Sequence, residues 1–308
     1  VIRSVRDLRP LWVIPWETRL IVGTTESNYT GDLRNVRPDA DEIEDLFTSF
    51  TRYFPTSGLT RGDICCAYAG VRPIVDQGGG SENSLSRKSE VVVDRDRRLI
   101  TVNGGKLTTF RRMAEQTIDE VDRLLPRPTA DADLRHRLRN APLWPGLSRT
   151  DAARWIAELS AASNGSDESG RIASHLVRLY GRDAADILKE ATRDQFLGGQ
   201  TSRPRREGPP LFPDLPYCLA ELVYLCKSEQ VCHLLDLVKR RTSIYFLADH
   251  GGQSALPQIV DRIAPTLGWD RERTAFELSA VREEFEADCR AIGDFGVPRG
   301  SVRQPCGP

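Results

Sequence analysis

Leu99-Ile-Thr-Val-Asn-Gly-Gly-Lys-Leu-Thr-Thr-Phe-Arg-Arg-Met-Ala-Glu115 is the stretch that decides how this chain is read. It reads as a strand, a Gly-Gly turn and a helix. The helix sets Phe110, Met113, Val121 and Leu124 on one side, with Thr117 or Ile118 between them. Gly104 and Gly105 let the backbone approach a ligand closely. A helix start offers N–H groups without intrahelical acceptors and the positive end of the dipole. Lys106 adds a full charge at that place. The combination suits an electron-rich or anionic group. Taken alone, it also describes a plain tight turn.

Two further stretches lie upstream. Tyr68-Ala-Gly-Val-Arg-Pro-Ile-Val75 closes an apolar run from Cys65, read as a buried strand that ends in Arg72-Pro73. A partly buried guanidinium needs an anionic partner. An internal carboxylate meets that need as well as a ligand does. Leu85-Ser-Arg87 follows the Gly/Ser-rich loop from Gln77 to Asn83, and by itself it looks like solvated surface charge.

Outward from these stretches the chain falls into two styles. Before residue 126, Leu11–Pro15 and Arg19–Thr24 read as a hairpin, and Val91–Val93 with Leu99–Val102 as a second strand pair. Between the pairs, Asp39 to Phe54 has helical spacing, with Ile43, Leu46, Phe47 and Phe50 on one face. Pro126-Arg-Pro-Thr129 marks the change. Beyond it, Ala152–Ala162, Ile172–Tyr180, Ala184–Ala191, Leu219–Cys226, Val231–Arg240 and Arg271–Arg290 all repeat at three and four. Pro204 to Pro216 is a Pro-rich loop between two helical groups.

The expected fold is therefore α+β. Residues 1–125 form a sheet-bearing part, residues 130–295 an all-helical domain, and residues 296–308 a Gly/Pro/Arg-rich tail expected to fray.

Bulk numbers remove several function classes. A net charge of -1 over 308 residues gives no basic field for nucleic acid. No apolar segment reaches the ~18 residues of a membrane span. Arg3, Arg6, Asp7 and Arg9 stand where a signal peptide needs its apolar run, and the chain is expected to enter mid-domain. Seven cysteines, an odd number, argue against a disulfide framework. Without a Cys-x-x-Cys pair, and with four scattered histidines, no metal site is expected.

Several motifs taken together resemble the FAD-dependent glycerol-3-phosphate dehydrogenases of the aerobic, quinone-linked type. Ala69-Gly-Val-Arg-Pro73, Ser86-Arg87 and Gly104-Gly-Lys-Leu-Thr-Thr-Phe-Arg111 occur in the family's order and at similar spacing. So do Val13-Ile-Pro-Trp16, Val22-Gly-Thr-Thr25 and Tyr29-Thr-Gly-Asp32. The helical part carries His175-Leu-Val-Arg-Leu-Tyr-Gly181, Glu221-Leu-Val-Tyr224, Leu237-Val-Lys-Arg-Arg-Thr242 and Leu267-Gly-Trp269, which look like the family's helices. The resemblance reaches about Arg290.

It implies FAD as cofactor and oxidation of sn-glycerol 3-phosphate to dihydroxyacetone phosphate. Hydride would go to the flavin and electrons on to a quinone. It further implies peripheral membrane contact at the cytoplasmic face of the membrane, an otherwise cytoplasmic location, and a homodimer. Arg72, Arg87 and Lys106 match the family's substrate-binding cations, with Lys106 and Arg72 closest to the chemistry. Gly104, Gly105, Lys106, Leu107 and Thr108 match the turn against the flavin ring.

The sequence also departs from the family. The GxGxxG dinucleotide fingerprint is absent, and Gly78-Gly-Gly80 does not supply it because no helix follows. No histidine matches the family's pocket histidine, so no general base is assigned. The expectation is a C-terminal portion lacking the N-terminal FAD-binding fingerprint. Its fold would be an incomplete flavin domain, with an antiparallel substrate-side sheet and the last nucleotide-fold strand and helix, followed by a helical cap. Such a portion is expected to be inactive by itself. Three alternatives stand beside it: an oxygen-using glycerol-3-phosphate oxidase, a flavin oxidase of amines or hydroxy acids, and a non-catalytic helical module. In the last, Arg203–Arg206 and Lys239–Arg241 would face anionic lipid, with Trp144, Trp155 and Trp269 as anchors.

Overall fold

The computed structural model describes residues 1–72, 89–125, 149–163, 167–188 and 211–292. The chain divides into two compact units. One comprises Val1–Thr30, Arg37–Ala69 and Leu147–Pro308, the other Gly31–Val36 and Gly70–Gly146.

The first unit opens with a three-stranded antiparallel sheet of β1 (Ile2–Arg3), β2 (Pro10–Trp16) and β3 (Arg19–Gly23), in that order. Trp16 pairs with Arg19, so Glu17 and Thr18 alone make the turn, as the sequence predicts for a hairpin. α1 (Ala40–Tyr53) starts at a capping box. Asp39 accepts from the Asp41 N–H at 2.8 Å, and the Glu42 carboxylate accepts from the Asp39 N–H at 3.2 Å. The expected face holds: Ile43 and Phe50 are buried, Leu46 and Phe47 half-buried. The same face carries Asp45, only 4% exposed. Its carboxylate accepts from Ser4 Oγ at 3.0 Å and pairs with Arg9, which fastens α1 to the β1 end of the sheet.

The helical part of this unit holds two apolar clusters. In the smaller, α3 (Arg149–Ser163) packs on α4 (Asp167–Tyr180), with Leu176, Val177 and Ile187 sealed from solvent. The larger gathers α5 (Leu219–Ser228), the short α6 (Ile244–Leu247), α7 (Leu256–Leu267) and α8 (Arg271–Ile292). Its wholly buried residues include Leu234, Leu237, Ile259 and Ile263. Trp155 packs on the first cluster and Trp269 on the second, so both serve packing. α7 stops at Gly268, whose φ of 67° takes the left-handed cap position.

Three expectations change. Val231–Arg240 is not one regular α-helix, because Asp236–Arg241 is a π turn. Thr242 is the cause: its N–H reaches the Leu237 carbonyl, five residues back, at 2.9 Å, and its hydroxyl donates to the same oxygen at 2.8 Å. The Cys65–Val75 strand is not formed over its described part. Cys65–Arg72 joins no sheet, and Tyr68 and Val71 are exposed.

The third change concerns the second unit, where β4 (Ser89–Asp94) pairs only with β5 (Leu99–Gly104), antiparallel, followed by α2 (Phe110–Leu124). β5 is thus a hairpin strand among the described residues rather than the last strand of a nucleotide-fold sheet. The description of an incomplete flavin domain is corrected to an α+β fold with two small antiparallel sheets and a largely helical C-terminal region. The Pro126–Thr129 linker, residues 204–210, Trp144 and the 296–308 tail lie outside the described residues.

Candidate functional site

The Gly-Gly turn forms as a strand-to-helix junction. Gly104 still pairs with Ser89 at the end of the hairpin. Gly104 and Gly105 then take φ values of 67° and 88°, a region open to glycine at little steric cost. A Cβ on Gly105 would lie 2.4 Å from Met113 Sδ, so the first turn of α2 packs directly against the glycine. Lys106 is extended, and Leu107–Thr109 forms a 3-10 turn that runs straight into α2. The first bond of that turn is Thr109 N–H to Lys106 O at 2.9 Å. The N–H groups of Leu107 and Thr108 therefore open the turn without an intrahelical acceptor. Lys106, Leu107 and Thr108 are all exposed, Leu107 at 89%.

The structure thus places Gly104, Gly105, Lys106, Leu107 and Thr108 in one turn, the glycines half-buried and Lys106, Leu107 and Thr108 exposed. Arg72 is exposed at the end of the described segment before residue 73. Arg87 falls in 73–88, outside the described residues.

The helical motifs also converge, which their sequence spacing gave no means to see. Glu221 on α5 is fully buried, yet it is an acid. It accepts from Tyr180 Oη at 2.7 Å, and His175 Nε2 lies 2.9 Å from its carboxylate, both residues being on α4. The His175 ring meets Tyr217 edge-on with centroids 4.9 Å apart. Burial, and then the Glu221 carboxylate, push the Tyr180 phenol far above its ordinary pKa. Tyr224 donates to Asp183 at 2.9 Å and stacks edge-on against Tyr180. This network cross-braces two helices.

A second network links the segment before α1 to α8. Arg37 donates to Glu284 at 2.6 Å and pairs with Asp288. Lys239 reaches Glu284 at 2.5 Å and Asp288 at 3.3 Å, and Tyr245 donates to Asp288 at 2.5 Å. Within the basic run, Arg240 pairs with Asp236 at 3.0 Å, and Arg241 Nε donates to Glu229 O at 2.8 Å. The run's charges are engaged inside the unit, which favours a structural role over lipid contact. Arg203–Arg206 lies outside the described residues.

An open cleft of about 680 Å³ is lined by His250, Phe285 and Cys289 among others, and none of the expected site residues lines it. Among the described residues no cluster of His, Cys, Asp and Glu could hold a metal ion.

Two stretches of the chain match known families. Residues 2–119 match the family described as FAD dependent oxidoreductase, and residues 146–274 the family described as C-terminal domain of alpha-glycerophosphate oxidase. Among individual relatives, the chain is 30% identical over 291 residues to a glycerol-3-phosphate dehydrogenase of Synechocystis sp., covering 92% of this chain and 48% of that protein. It is 32% identical to the mitochondrial glycerol-3-phosphate dehydrogenase of Rattus norvegicus, covering 90% of this chain and 36% of that one. The fold is similar to part of the glycerol-3-phosphate dehydrogenase from Bacillus halodurans solved with FAD. There the TM-score is 0.68, identity is 23%, and the match covers 97% of this chain and 54% of that one. The chain spans about half the length of these relatives or less.

These matches correct the expectation of a C-terminal portion lacking the N-terminal FAD-binding part. Residues 2–119 match the FAD dependent oxidoreductase family, and residues 146–274 match the C-terminal one.

Proposed function

We infer that this chain serves the FAD-dependent oxidation of sn-glycerol 3-phosphate to dihydroxyacetone phosphate. The observation that carries this reading is the Gly104–Thr108 turn with exposed Lys106, inside the segment that matches the FAD dependent oxidoreductase family. The turn fits a flat cofactor. Two left-handed glycines turn the backbone, with Met113 packed behind Gly105, and two N–H groups open the helix beside them. Gly104, Gly105, Leu107 and Thr108 would hold the FAD ring, and FAD supplies the hydride acceptor for the substrate's secondary alcohol.

The chain's own side chains act on the substrate. Lys106, Arg72 and Arg87 bind the phosphate dianion through charge-assisted hydrogen bonds of about 1.5–3 kcal/mol each. Lys106, next to the glycines that would hold the ring, would also help orient the substrate alcohol, which is a positioning contribution. The inferred organisation is a sheet-bearing domain (residues 1–125) that carries these residues and a helical domain (residues 130–295).

Quinone is the inferred electron acceptor, reached peripherally from the membrane surface, with a homodimer as the working assembly. No described helix is long and apolar enough to cross a membrane. The match of residues 146–274 to an oxidase family favours a second reading, in which molecular oxygen takes the electrons.

The test is the visible spectrum of the purified chain mixed with FAD. The expected result is a bound-flavin spectrum that bleaches anaerobically on adding glycerol 3-phosphate, with Arg72→Ala raising the half-saturating concentration at least tenfold. Reoxidation by a quinone analogue but not by oxygen supports the first reading, and the reverse supports the second. A chain that retains no flavin, or retains flavin that glycerol 3-phosphate does not bleach, overturns both.

A further inference from the structure

We propose that Thr109 is a positioning residue that sets Lys106 through its backbone; this rests on the reading of Lys106 as a substrate-facing cation. The Thr109 hydroxyl closes on both main-chain groups of Lys106. It donates to the Lys106 carbonyl at 2.9 Å and accepts from the Lys106 N–H at 3.3 Å. One hydroxyl has a single proton and two lone pairs, so both contacts form together. The Thr109 N–H adds a third tie, also to the Lys106 carbonyl, at 2.9 Å.

Nothing else in the turn is placed to do this. Gly104 and Gly105 precede Lys106 in left-handed conformations and carry no side chains that could hold it. Lys106, Leu107 and Thr108 are exposed and gain no support from burial. Met113 supplies the base of the arrangement. Its sulfur lies 3.6 Å from Thr109 Oγ1 and fills the space that a Gly105 Cβ would occupy. The Met113 carbonyl in turn accepts from Thr117 Oγ1 at 2.8 Å. The Lys106 backbone is thus fixed from one side by a threonine hydroxyl and backed by a thioether. The ammonium at the end of a flexible stem starts from a defined Cα rather than a mobile loop.

The branched shape of threonine matters as well. Its Cβ carries two heavy atoms and restricts χ1, which keeps the hydroxyl turned back toward Lys106. Valine keeps that shape and removes the hydroxyl. Serine keeps the hydroxyl and loses the restriction.

The first measurement is amide hydrogen exchange over residues 104–110 of the full chain without ligand. Thr109→Val is expected to speed exchange at the turn about five- to tenfold, as loss of a hydrogen bond predicts, and Thr109→Ser to stay within about twofold of the parent. Unchanged exchange in Thr109→Val overturns the proposal, whatever the activity. The second is a double-variant cycle, read as the half-saturating glycerol 3-phosphate concentration for anaerobic flavin bleaching. Thr109→Val is expected to raise that concentration in the parent and to change it by less than about twofold in a Lys106→Met background. Full additivity of the two variants overturns the positioning role while leaving the reading of Lys106 intact. A Lys106→Met variant with unaltered half-saturation defeats that reading instead, and the exchange data still report on Thr109.

Discussion

The two units of this molecule spend their apolar residues differently. In the helical part, Leu234, Leu237, Ile244, Ile259 and Ile263 are completely buried, and even acids such as Glu221 are drawn inside and satisfied. In the unit that carries the Gly104–Thr109 turn, no described residue is buried. Leu99, Val102, Leu107, Phe110 and Ile118 are all exposed there. Helix packing holds the first region, while hairpin bonds and local side-chain ties hold the second. Segments that bind ligands are drawn from the low-stability end of a protein. The turn fits that pattern, with its shape set by two glycines and one threonine.

The contrast is sharpest for a pair of core and hairpin truncations. Leu234→Ala removes a wholly buried side chain and is expected to cost about 3 kcal/mol. Val102→Ala on β5 removes an exposed one and is expected to stay within ~0.5 kcal/mol. Urea unfolding followed by circular dichroism reads both. Equal losses would break the comparison, because the hairpin would then have a core of its own.

The next largest effect tests whether buried polarity belongs to the strong region. Glu221→Leu strands the Tyr180 hydroxyl and removes the acid beside His175, both in part-buried surroundings. The expected loss is about 2–3 kcal/mol. Tyr180→Phe, which removes one donor and leaves the acid, is expected to lose about 1 kcal/mol. If Glu221→Leu proves neutral, the network contributes no stability and the motifs that compose it need another explanation.

These polar braces also show what could be read in the sequence. Periodicity gave α1, the β2–β3 hairpin, the β4–β5 pair and most helices, because each is set by local spacing and turn chemistry. The glycines and Lys106 of the turn were legible for the same reason. Asp45 and Glu221 were not. An acid on the apolar face of a helix looks like a break in the pattern until Ser4 and Arg9, or His175 and Tyr180, arrive from about 40 residues away. The π turn at Asp236–Arg241 depends on Thr242, which sits two residues past the repeat and competes for a carbonyl that the 3.6-residue pattern assigns elsewhere. The sequence puts Arg72 on a buried strand because the run from Cys65 to Val75 is largely apolar, yet its described part pairs with no strand.

Acid should find the first unit at the Arg37 network. Burial raises the Glu284 carboxyl, but hydrogen bonds from Arg37 and Lys239 overcome that and hold it below its ordinary 4.5. A carboxyl depressed in the folded state adds stability above its unfolded pKa, and that stability is lost as pH falls through the folded value. Stability is therefore expected to decline below about pH 4.5. Arg37→Met should flatten that decline and cost ~1 kcal/mol at neutral pH, since the pair is only partly buried. Thermal unfolding from pH 3 to 7 measures both, and an unchanged acid slope in Arg37→Met removes the network from the account.

The smallest effect probes the turn itself. Gly105→Ala is expected to cost ~1 kcal/mol, because alanine at φ 88° carries the penalty of a left-handed backbone. A second contribution is available: the new Cβ would meet Met113 Sδ at 2.4 Å. The two separate in a Met113→Ala background, where the collision is gone and the backbone strain stays. That sulfur is near the free end of a flexible side chain that can swing aside, so the backbone should dominate. The double variant is then expected to recover little, with residues 104–110 still exchanging faster than the parent with Met113→Ala alone. Full recovery would mean that side-chain packing, not backbone conformation, shapes the turn, and the two units would differ in degree rather than in kind.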